Sequence, residues 1–359
     1  MSSLFSPLDF KRGPSMKNRF MLAPLTNLQS HENGVLSNEE FHWLTMRAKG
    51  GFGLTMTCAA HVQRIGQGFP GQLGIFDRKH VEGLARLAKA IKDQHSVAIC
   101  QLHHAGMRSP EGLIGEKPVC PSDNEKTGAR SLSYEEVVQL RDDFVTAATR
   151  AEEAGFDGVE IHGAHGYALC QFFASTINHR KDEYGGSLAN RYRILFEIIE
   201  GVRKSCRPDF MLGVRLSPER FGMKLHEVTQ IAQRLFNEDK VDFLDMSLWD
   251  VFKEPNEEGK QERSLLSYFT DLDRQNVRLG IAGQIRTPKE AERALAAGVD
   301  WIMLGRAAIL HHDFPLQLQG NPDFSPVNLP VSREHLEKEG VSEKFVKYLS
   351  SWEGFVAES

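Results

Sequence analysis

Several features that mark whole classes of protein are absent from this chain of 359 residues. It has five cysteines, and no two of them form a CxxC pair. A zinc ribbon or an iron–sulfur cluster bound by cysteines is therefore not expected. Such sparse and widely spaced cysteines fit a reducing compartment, so a cytoplasmic location is expected.

Long apolar runs and an excess of basic charge are absent too. No stretch approaches 18 uninterrupted apolar residues, and the mean hydropathy is −0.36, so no membrane-spanning helix is expected. The N-terminus lacks a basic segment followed by an apolar run, which argues against a secretory signal. Lys and Arg number 43 against 48 Asp and Glu, whereas nucleic-acid-binding proteins usually carry a basic excess. The sequence therefore predicts neither a membrane nor a nucleic acid as partner.

The composition is that of a folded globular protein, with 41% apolar and 25% charged residues. Eight short runs of apolar and β-branched residues are typical of strands, and amphipathic stretches lie between them. The predicted strands cover residues 19–25, 54–59, 97–102, 158–162, 211–216, 241–246, 278–282 and 301–305.

Helix signals separate these strands. Apolar residues recur with a helical period over 81–93, and Ser133 and Glu136 have the spacing of a capping box. Further helices are predicted over 133–154, 187–204 and 225–237, and from Pro288 onward. Strands that alternate with helices pair in parallel, because parallel neighbours need a crossover connection. Eight such units without a dinucleotide-binding fingerprint predict an α/β fold, a closed (β/α)8 TIM barrel, with an open doubly wound sheet as the alternative.

The expected domain organisation follows this barrel. Residues 1–18 form a short lead-in, 19–320 form the barrel, and 321–359 form a C-terminal tail of short helices. No linker rich in Pro, Gly or Ser interrupts the barrel segment, whereas three prolines between residues 320 and 330 mark its end.

The candidate chemistry lies at the C-terminal ends of the strands, as in other barrels of this type. His162, His165 and Tyr167 follow the fourth strand, and Gly163 and Gly166 allow a bend that brings the three side chains together. Two imidazoles can donate hydrogen bonds to one oxygen, and a phenol can donate a proton near neutral pH. The pattern predicts a site that stabilises an enolate and protonates its carbon. A zinc site at the two histidines and a purely structural role are the alternatives, although no third ligand lies close by.

An anion site is predicted from the later strands. Arg215 follows the fifth strand and carries a permanent charge, which suits a fixed anion or, alternatively, a core carboxylate. Gly283 follows the seventh strand, and Gly305 and Arg306 follow the eighth, where barrels build phosphate sites from backbone N–H groups. Glycines that serve only tight turns are the alternative interpretation.

Weaker candidates follow the first and third strands. Thr26 and Gln101 have the polarity to bond the edge of a heterocyclic ring. His103 and His104 are interpreted as structural.

On these residues the sequence resembles the old yellow enzyme family of flavin-dependent ene-reductases. The matching segments lie, in the expected order, over 18–26, 101–106, 157–191, 213–218, 282–288 and 302–309. The segment over 157–191, which begins DGVEIHGAHGY, is the most specific of them.

The resemblance implies that FMN binds noncovalently over the barrel mouth. Gln101 would bond its pyrimidine edge, and Arg215 would lie near N1 and O2. The flavin would be lined by Ala23, Pro24, Leu25, Thr26 and Ala59, and its phosphate held by Gly283, Gly305 and Arg306.

The resemblance also implies a ping-pong reaction. NADPH or NADH gives a hydride to flavin N5, and N5 passes it to the β-carbon of an electron-poor alkene. His162 and His165 would hold the substrate's carbonyl oxygen, and Tyr167 would protonate the α-carbon. Leu28 stands where one branch of the family places a substrate-contacting tyrosine, so it is a further substrate-binding candidate. No metal is implied, and a homo-oligomer is left open.

Two other functions remain as alternatives at this point. A barrel aldolase or isomerase acting on a phosphorylated substrate would use the same phosphate corner, but no strand end presents the lysine that it needs. A non-catalytic flavin-binding protein would bind FMN without consuming NADH or NADPH.

Overall fold

The computed structural model describes residues 3–257, 259 and 263–357. Its centre is a ring of eight parallel strands with helices between them, which confirms the (β/α)8 TIM barrel. The strands are β1 (Phe20–Leu22), β2 (Leu54–Met56), β3 (Val97–His103), β4 (Gly158–Gly163), β5 (Met211–Leu216), β6 (Phe243–Ser247), β7 (Arg278–Ala282) and β8 (Trp301–Leu304).

The ring is complete, whereas an open sheet would leave two edge strands unpaired. β1 pairs with β8, where Phe20 lies opposite Ile302, and β2 pairs with both β1 and β3. Each of the eight strands therefore has two parallel neighbours, which excludes the open doubly wound alternative.

The lower end of the barrel is filled by its own apolar cluster. Met21, Ile99 and Trp301 point inward and pack with neighbouring strands. Leu8 and Met16 of the lead-in pair with each other and join the same cluster. This packing closes the amino-terminal end of the ring, so a cavity inside the ring has room only near the carboxyl ends of the strands.

Eight helices follow the strands and bury their apolar faces against the outside of the ring. They are α1 (Asn38–Lys49), α2 (Val81–Lys92), α3 (Tyr134–Glu153), α4 (Arg193–Ser205), α5 (Leu225–Glu238), α6 (Ser267–Thr270), α7 (Pro288–Ala296) and α8 (Arg306–Leu310). The capping box predicted at Ser133 and Glu136 is present, and Pro288 is in the first turn of α7.

The helix predicted over 187–204 is divided at Tyr192. Ser187 caps a short helix, Leu188–Arg191, as expected, and α4 begins at Arg193; Tyr192 between them has φ of −94° and ψ of 0°, at the edge of the right-handed helical region. The Tyr192 ring is fully buried and stacks on Phe173 with ring centroids 4.0 Å apart. The local sequence carries no signal for this contact or for the division of the helix.

The C-terminal tail folds back along the barrel. Its two helices are Arg333–Lys338 and Glu343–Leu349. Val331 before them and Val356 after them form a parallel β-bridge. Phe345 is fully buried and meets the Trp43 ring of α1 edge-on, with centroids 5.0 Å apart. This contact attaches the tail to the barrel.

Two further expectations concern the cysteines and the absence of a membrane-spanning helix. All five cysteines are free thiols, and four of them are buried. Among the described residues, every helix is too short or too polar to cross a lipid bilayer.

We expect Phe345→Ala to release the tail, because deleting a buried phenyl ring costs about 3–5 kcal/mol. The measurement is the rate of limited proteolysis within residues 331–357. Phe345→Leu, which keeps most of the apolar volume, is the matched control. Equal cleavage rates for the two variants would contradict this account of how the tail is attached.

Candidate active site

Two adjoining cavities open at the carboxyl ends of the strands. The first, of about 730 Å³, is called the histidine cavity and is lined by Thr26, Ala59, Phe69, Gln101, His103, His162, His165, Tyr167 and Tyr348. The second, of about 900 Å³, is called the arginine cavity and is lined by Ala23, Trp249, Ala282, Gly283, Gln284, Ile285, Arg286, Met303, Gly305 and Arg306. Pro24, Leu25, Arg215 and Trp352 line both.

The structure brings together every candidate site residue from the sequence except one. The residues predicted to be catalytic and those predicted to bond the edge of a heterocyclic ring line the histidine cavity. The residues predicted to hold a phosphate line the arginine cavity. Leu28 has a left-handed backbone, with φ of 58°, and is not among the residues that line either cavity. Its substrate-binding role stays a prediction, as do the individual roles of the others.

A bend after β4 presents the two histidines. The strand ends at Gly163, and the chain turns through His165 and Gly166, whose φ angles are 59° and 72°. A left-handed backbone is unfavourable for histidine, so the turn holds His165 in a strained conformation. His162 Nε2 then lies 3.0 Å from His165 Nδ1, and His165 Nε2 lies 2.7 Å from Ser247 Oγ.

The surroundings of both histidines favour the neutral imidazole. Burial is the largest cause that lowers the pKa of His162 and of His165 well below 6.5, and the positive charge of Arg215 acts in the same direction. A neutral imidazole carries one N–H, so each ring offers one donor to a ligand oxygen. Among the described residues, no cysteine or carboxylate joins these two histidines within the spacing of a metal site, which leaves the zinc alternative without support.

Tyr167 stands beside the histidines at the rim. Its ring lies 5.4 Å from the His162 ring, measured between centroids. The Arg108 guanidinium lies 4.5 Å from the centre of the tyrosine ring, and its Nη1 donates a hydrogen bond of 2.6 Å to the carbonyl oxygen of His165. The Arg108 side chain therefore contacts both the Tyr167 ring and the turn at His165.

His103 and His104, both interpreted as structural from the sequence, have different surroundings. The His103 ring lines the histidine cavity and meets the Tyr167 ring edge-on, with centroids 4.4 Å apart. Residues two apart in a strand share a face, so the inward position of Gln101 also predicts an inward His103. His104 does have a structural role, because its ring accepts from the N–H of Gly106 and contacts Gln63.

The arginine cavity is built for an anion. Gly283 has φ of 153°, and a Cβ there would lie 3.0 Å from the backbone of the Trp249–Asp250 segment. Arg286 lies close enough to Arg306 that its charge, after burial, lowers the pKa of that guanidinium. Two cations held near each other are stabilised by a ligand with more than one negative charge. The sequence did not single out Arg286.

The lining of both cavities contains arginines and no Asp, Glu or Lys. Without a lysine or a carboxylate, the lining lacks the groups with which an aldolase or isomerase would act on a sugar phosphate. This argues against the phosphorylated-substrate alternative.

The tail supplies two lining residues that sequence reasoning missed. Tyr348 and Trp352 cover the mouth, and the Arg306 guanidinium lies 5.4 Å from the centre of the Trp352 indole. Their position depends on how the tail docks on the barrel, so no local pattern marks them.

Comparison with known proteins gives one consistent result. The family model described as "NADH:flavin oxidoreductase / NADH oxidase family" matches residues 3–323. A probable NADH-dependent flavin oxidoreductase, YqiG, from Bacillus subtilis is 34% identical over 327 residues, which cover 88% of this chain and 87% of that protein. An NADH:fumarate oxidoreductase from Klebsiella pneumoniae is 31% identical over 93% of this chain, which corresponds to 38% of that longer protein.

A solved structure supports the same assignment. The old yellow enzyme homologue from Zymomonas mobilis superposes with a TM-score of 0.81 and 29% identity, covering 95% of this chain and 99% of that one.

We expect His162 and His165 to remain neutral between about pH 5.5 and 8, because burial and Arg215 lower both pKa values. The measurement is the ¹⁵N chemical shift of the ring nitrogens in histidine-labelled protein, with His162→Gln and His165→Gln used to assign the signals. Histidines on the surface provide the reference titration. A transition of either assigned signal near pH 6.5 would contradict the expected neutrality.

Proposed function

The chain belongs to the NADH:flavin oxidoreductase / NADH oxidase family, and we propose that it reduces the activated C=C bond of α,β-unsaturated carbonyl compounds and related electron-poor alkenes. The observation that carries the proposal is the convergence of His162, His165 and Tyr167 on the histidine cavity. Two hydrogen-bond donors beside a proton donor are what the reduction of a conjugated carbonyl requires.

Proteins of this family use FMN with NADH or NADPH as electron donor, which confirms the cofactor expected from the sequence. The lining fits FMN on three grounds. The position of Gly305 in the lining and the cations of Arg286 and Arg306 suit a phosphate, and the neighbouring histidine cavity suits a flat ring system. The buried Nε of Arg215 has no partner among the described residues, so it is available to an electron-rich ring edge.

FMN, when bound, supplies the hydride transfer between the nicotinamide and the alkene. The residues of this chain position the two reactants and handle charge. Gln101, Arg215 and Thr26 would hold the ring system, while Gly283 and Arg306 would hold the phosphate.

The two histidines bind the substrate's carbonyl oxygen. Because both imidazoles are neutral, each can donate one N–H, and the contact between His162 Nε2 and His165 Nδ1 is exchanged for contacts with that oxygen. These bonds strengthen as negative charge develops on the oxygen, so they stabilise the enolate-like transition state more than the ground state.

Tyr167 donates its phenolic proton to the α-carbon. The Arg108 guanidinium, 4.5 Å from the centre of the ring, holds the phenol in place at the rim. The tyrosine regains its proton from solvent, because it is only partly buried at the rim.

We expect Tyr167→Phe to slow alkene reduction by about 10²–10⁴-fold, because the general acid is lost. The reduction of the flavin by NADH or NADPH should proceed at the wild-type rate, because that step does not use the phenol. Stopped-flow absorbance separates the two half-reactions, with bleaching by each nicotinamide followed by recolouring with enones, nitroalkenes and maleimides.

Tyr134→Phe is the control, because it removes the same hydroxyl from a tyrosine that bonds Glu183 on the surface. Equal losses in both half-reactions would refute the role of Tyr167. Wild-type protein that is bleached by a nicotinamide and recoloured by none of the alkenes would refute the proposed function.

Arg286→Gln should weaken the binding of FMN by about 10–100-fold, because it removes a charged hydrogen-bond donor from the phosphate corner. The affinity for riboflavin, which has no phosphate, should not change. Fluorescence titration of the apoprotein with each flavin measures both constants. Arg234→Gln, at an ion pair with Glu238 on the outer surface, is the control, and an equal loss of affinity for both flavins would contradict the phosphate role.

A further inference from the structure

Two carboxyl groups lie inside the barrel beneath the histidine cavity. Glu160 of β4 and Asp245 of β6 are both fully buried. Strand register places Glu160 beside Gln101 of β3 and Asp245 beside Arg215 of β5. Each carboxyl group therefore lies beside a residue that lines the cavities.

A glycine makes room for Asp245. A Cβ on Gly280 of β7 would lie 2.0 Å from Asp245 Oδ1 and 2.2 Å from Trp301 Nε1. Glu160 lies close enough to Asp245 that its charge and hydrogen bonding are, after burial, the largest causes that raise the pKa of Asp245. The two carboxyl groups are therefore neighbours inside the barrel.

The donors around the two groups are too few for two carboxylates. Gln101 Nε2 donates to Glu160 Oε1 at 2.6 Å. Glu160 Oε2 and both oxygens of Asp245 receive no hydrogen bond from the described residues, although the indole N–H of Trp301 lies beside Asp245. Two adjacent buried anions repel each other strongly, and one proton between them converts the repulsion into an O–H···O bond.

The charges nearby also fit a single proton. Arg215 is the cation that faces Asp245, and with one shared proton the three side chains sum to zero. Burial and the charge of Glu160 raise the pKa of Asp245 well above its ordinary value, while Arg215 acts in the opposite direction. His162 lies two residues after Glu160 on β4, and the neighbours of the pair on β3, β7 and β8 are the uncharged Gln101, Gly280 and Trp301.

We propose that Glu160 and Asp245 share one proton at neutral pH and act as a positioning pair for the cofactor-binding residues Gln101 and Arg215. Glu160 accepts from the amide nitrogen of Gln101, so the amide oxygen is left to face the cavity as an acceptor for a ring N–H. With one negative charge instead of two below it, Arg215 keeps a positive field for an electron-rich ligand.

The shared proton predicts how cofactor affinity depends on pH. When the pair loses its proton, a second negative charge appears beneath the cavity and disfavours the anionic FMN. The dissociation constant of FMN should therefore rise with pH above the pKa of the pair, by at most about tenfold per pH unit for one proton. Asp245→Asn leaves a single carboxylate with nothing to share, so its dissociation constant should not rise in that range.

Infrared spectroscopy tests the proton directly. We expect wild-type protein at neutral pH, with and without FMN, to show the carbonyl stretching band of a protonated carboxyl group. Both Asp245→Asn and Glu160→Gln should lose the same component of that band, because each removes one partner. Glu40, which is also buried and has a raised pKa, can contribute a separate component, and Glu40→Gln identifies it.

A band that survives in both pair variants, or is absent from the wild type, would overturn the proposal. If Asp245→Asn fails to fold, the wild-type spectrum and the spectrum of Glu160→Gln still test the proposal. Either spectrum alone can contradict the shared proton. Neither the infrared band nor FMN affinity depends on the reduction of an alkene, so failure here is distinct from failure of the proposed function.

Discussion

Closure of the ring by the pairing of β2 with β3 is the constraint on which the site depends. Parallel strands all end at the same edge of a sheet, and closure turns that edge into a rim around one mouth. Residues as distant in sequence as Thr26, Gln101 and Arg306 reach two adjoining cavities only because the ring is complete. The apolar cluster fills the opposite end of the barrel, so polar side chains find room inside the ring near the mouth.

Desolvation then decides how those polar groups behave. Burial lowers the pKa values of His162 and His165, which favours neutral rings that can donate hydrogen bonds without a charge of their own. The permanent charges of the lining belong to arginines, whose guanidinium groups stay charged. The cavity can therefore attract an anionic cofactor, and under the proposed function the substrate oxygen would meet uncharged donors, whose contribution grows as the oxygen becomes negative.

Local sequence patterns were sufficient for the barrel and for most of the mouth. Strand and helix periodicity located all eight strands, and the rule that chemistry follows the strand ends identified His162, Tyr167 and Arg215. His103 was interpreted as structural, although the two-residue period of β3 places it in the cavity lining beside Gln101. Local patterns could not predict the division of the helix at Tyr192 or the tail residues that line the cavities, because both involve contacts between segments that are separated in sequence.

The tail takes part in the site although it lies outside the family model. The family model ends at residue 323, whereas Tyr348 and Trp352 line the cavities from beyond that point. The barrel supplies the imidazoles, the phenol and the cations of the lining. The aromatic residues of the tail contribute shape and apolar surface at the entrance, and the shape of a pocket helps to decide which ligands it admits. A substitution in the tail can therefore change the shape of the entrance while the polar lining supplied by the barrel stays the same.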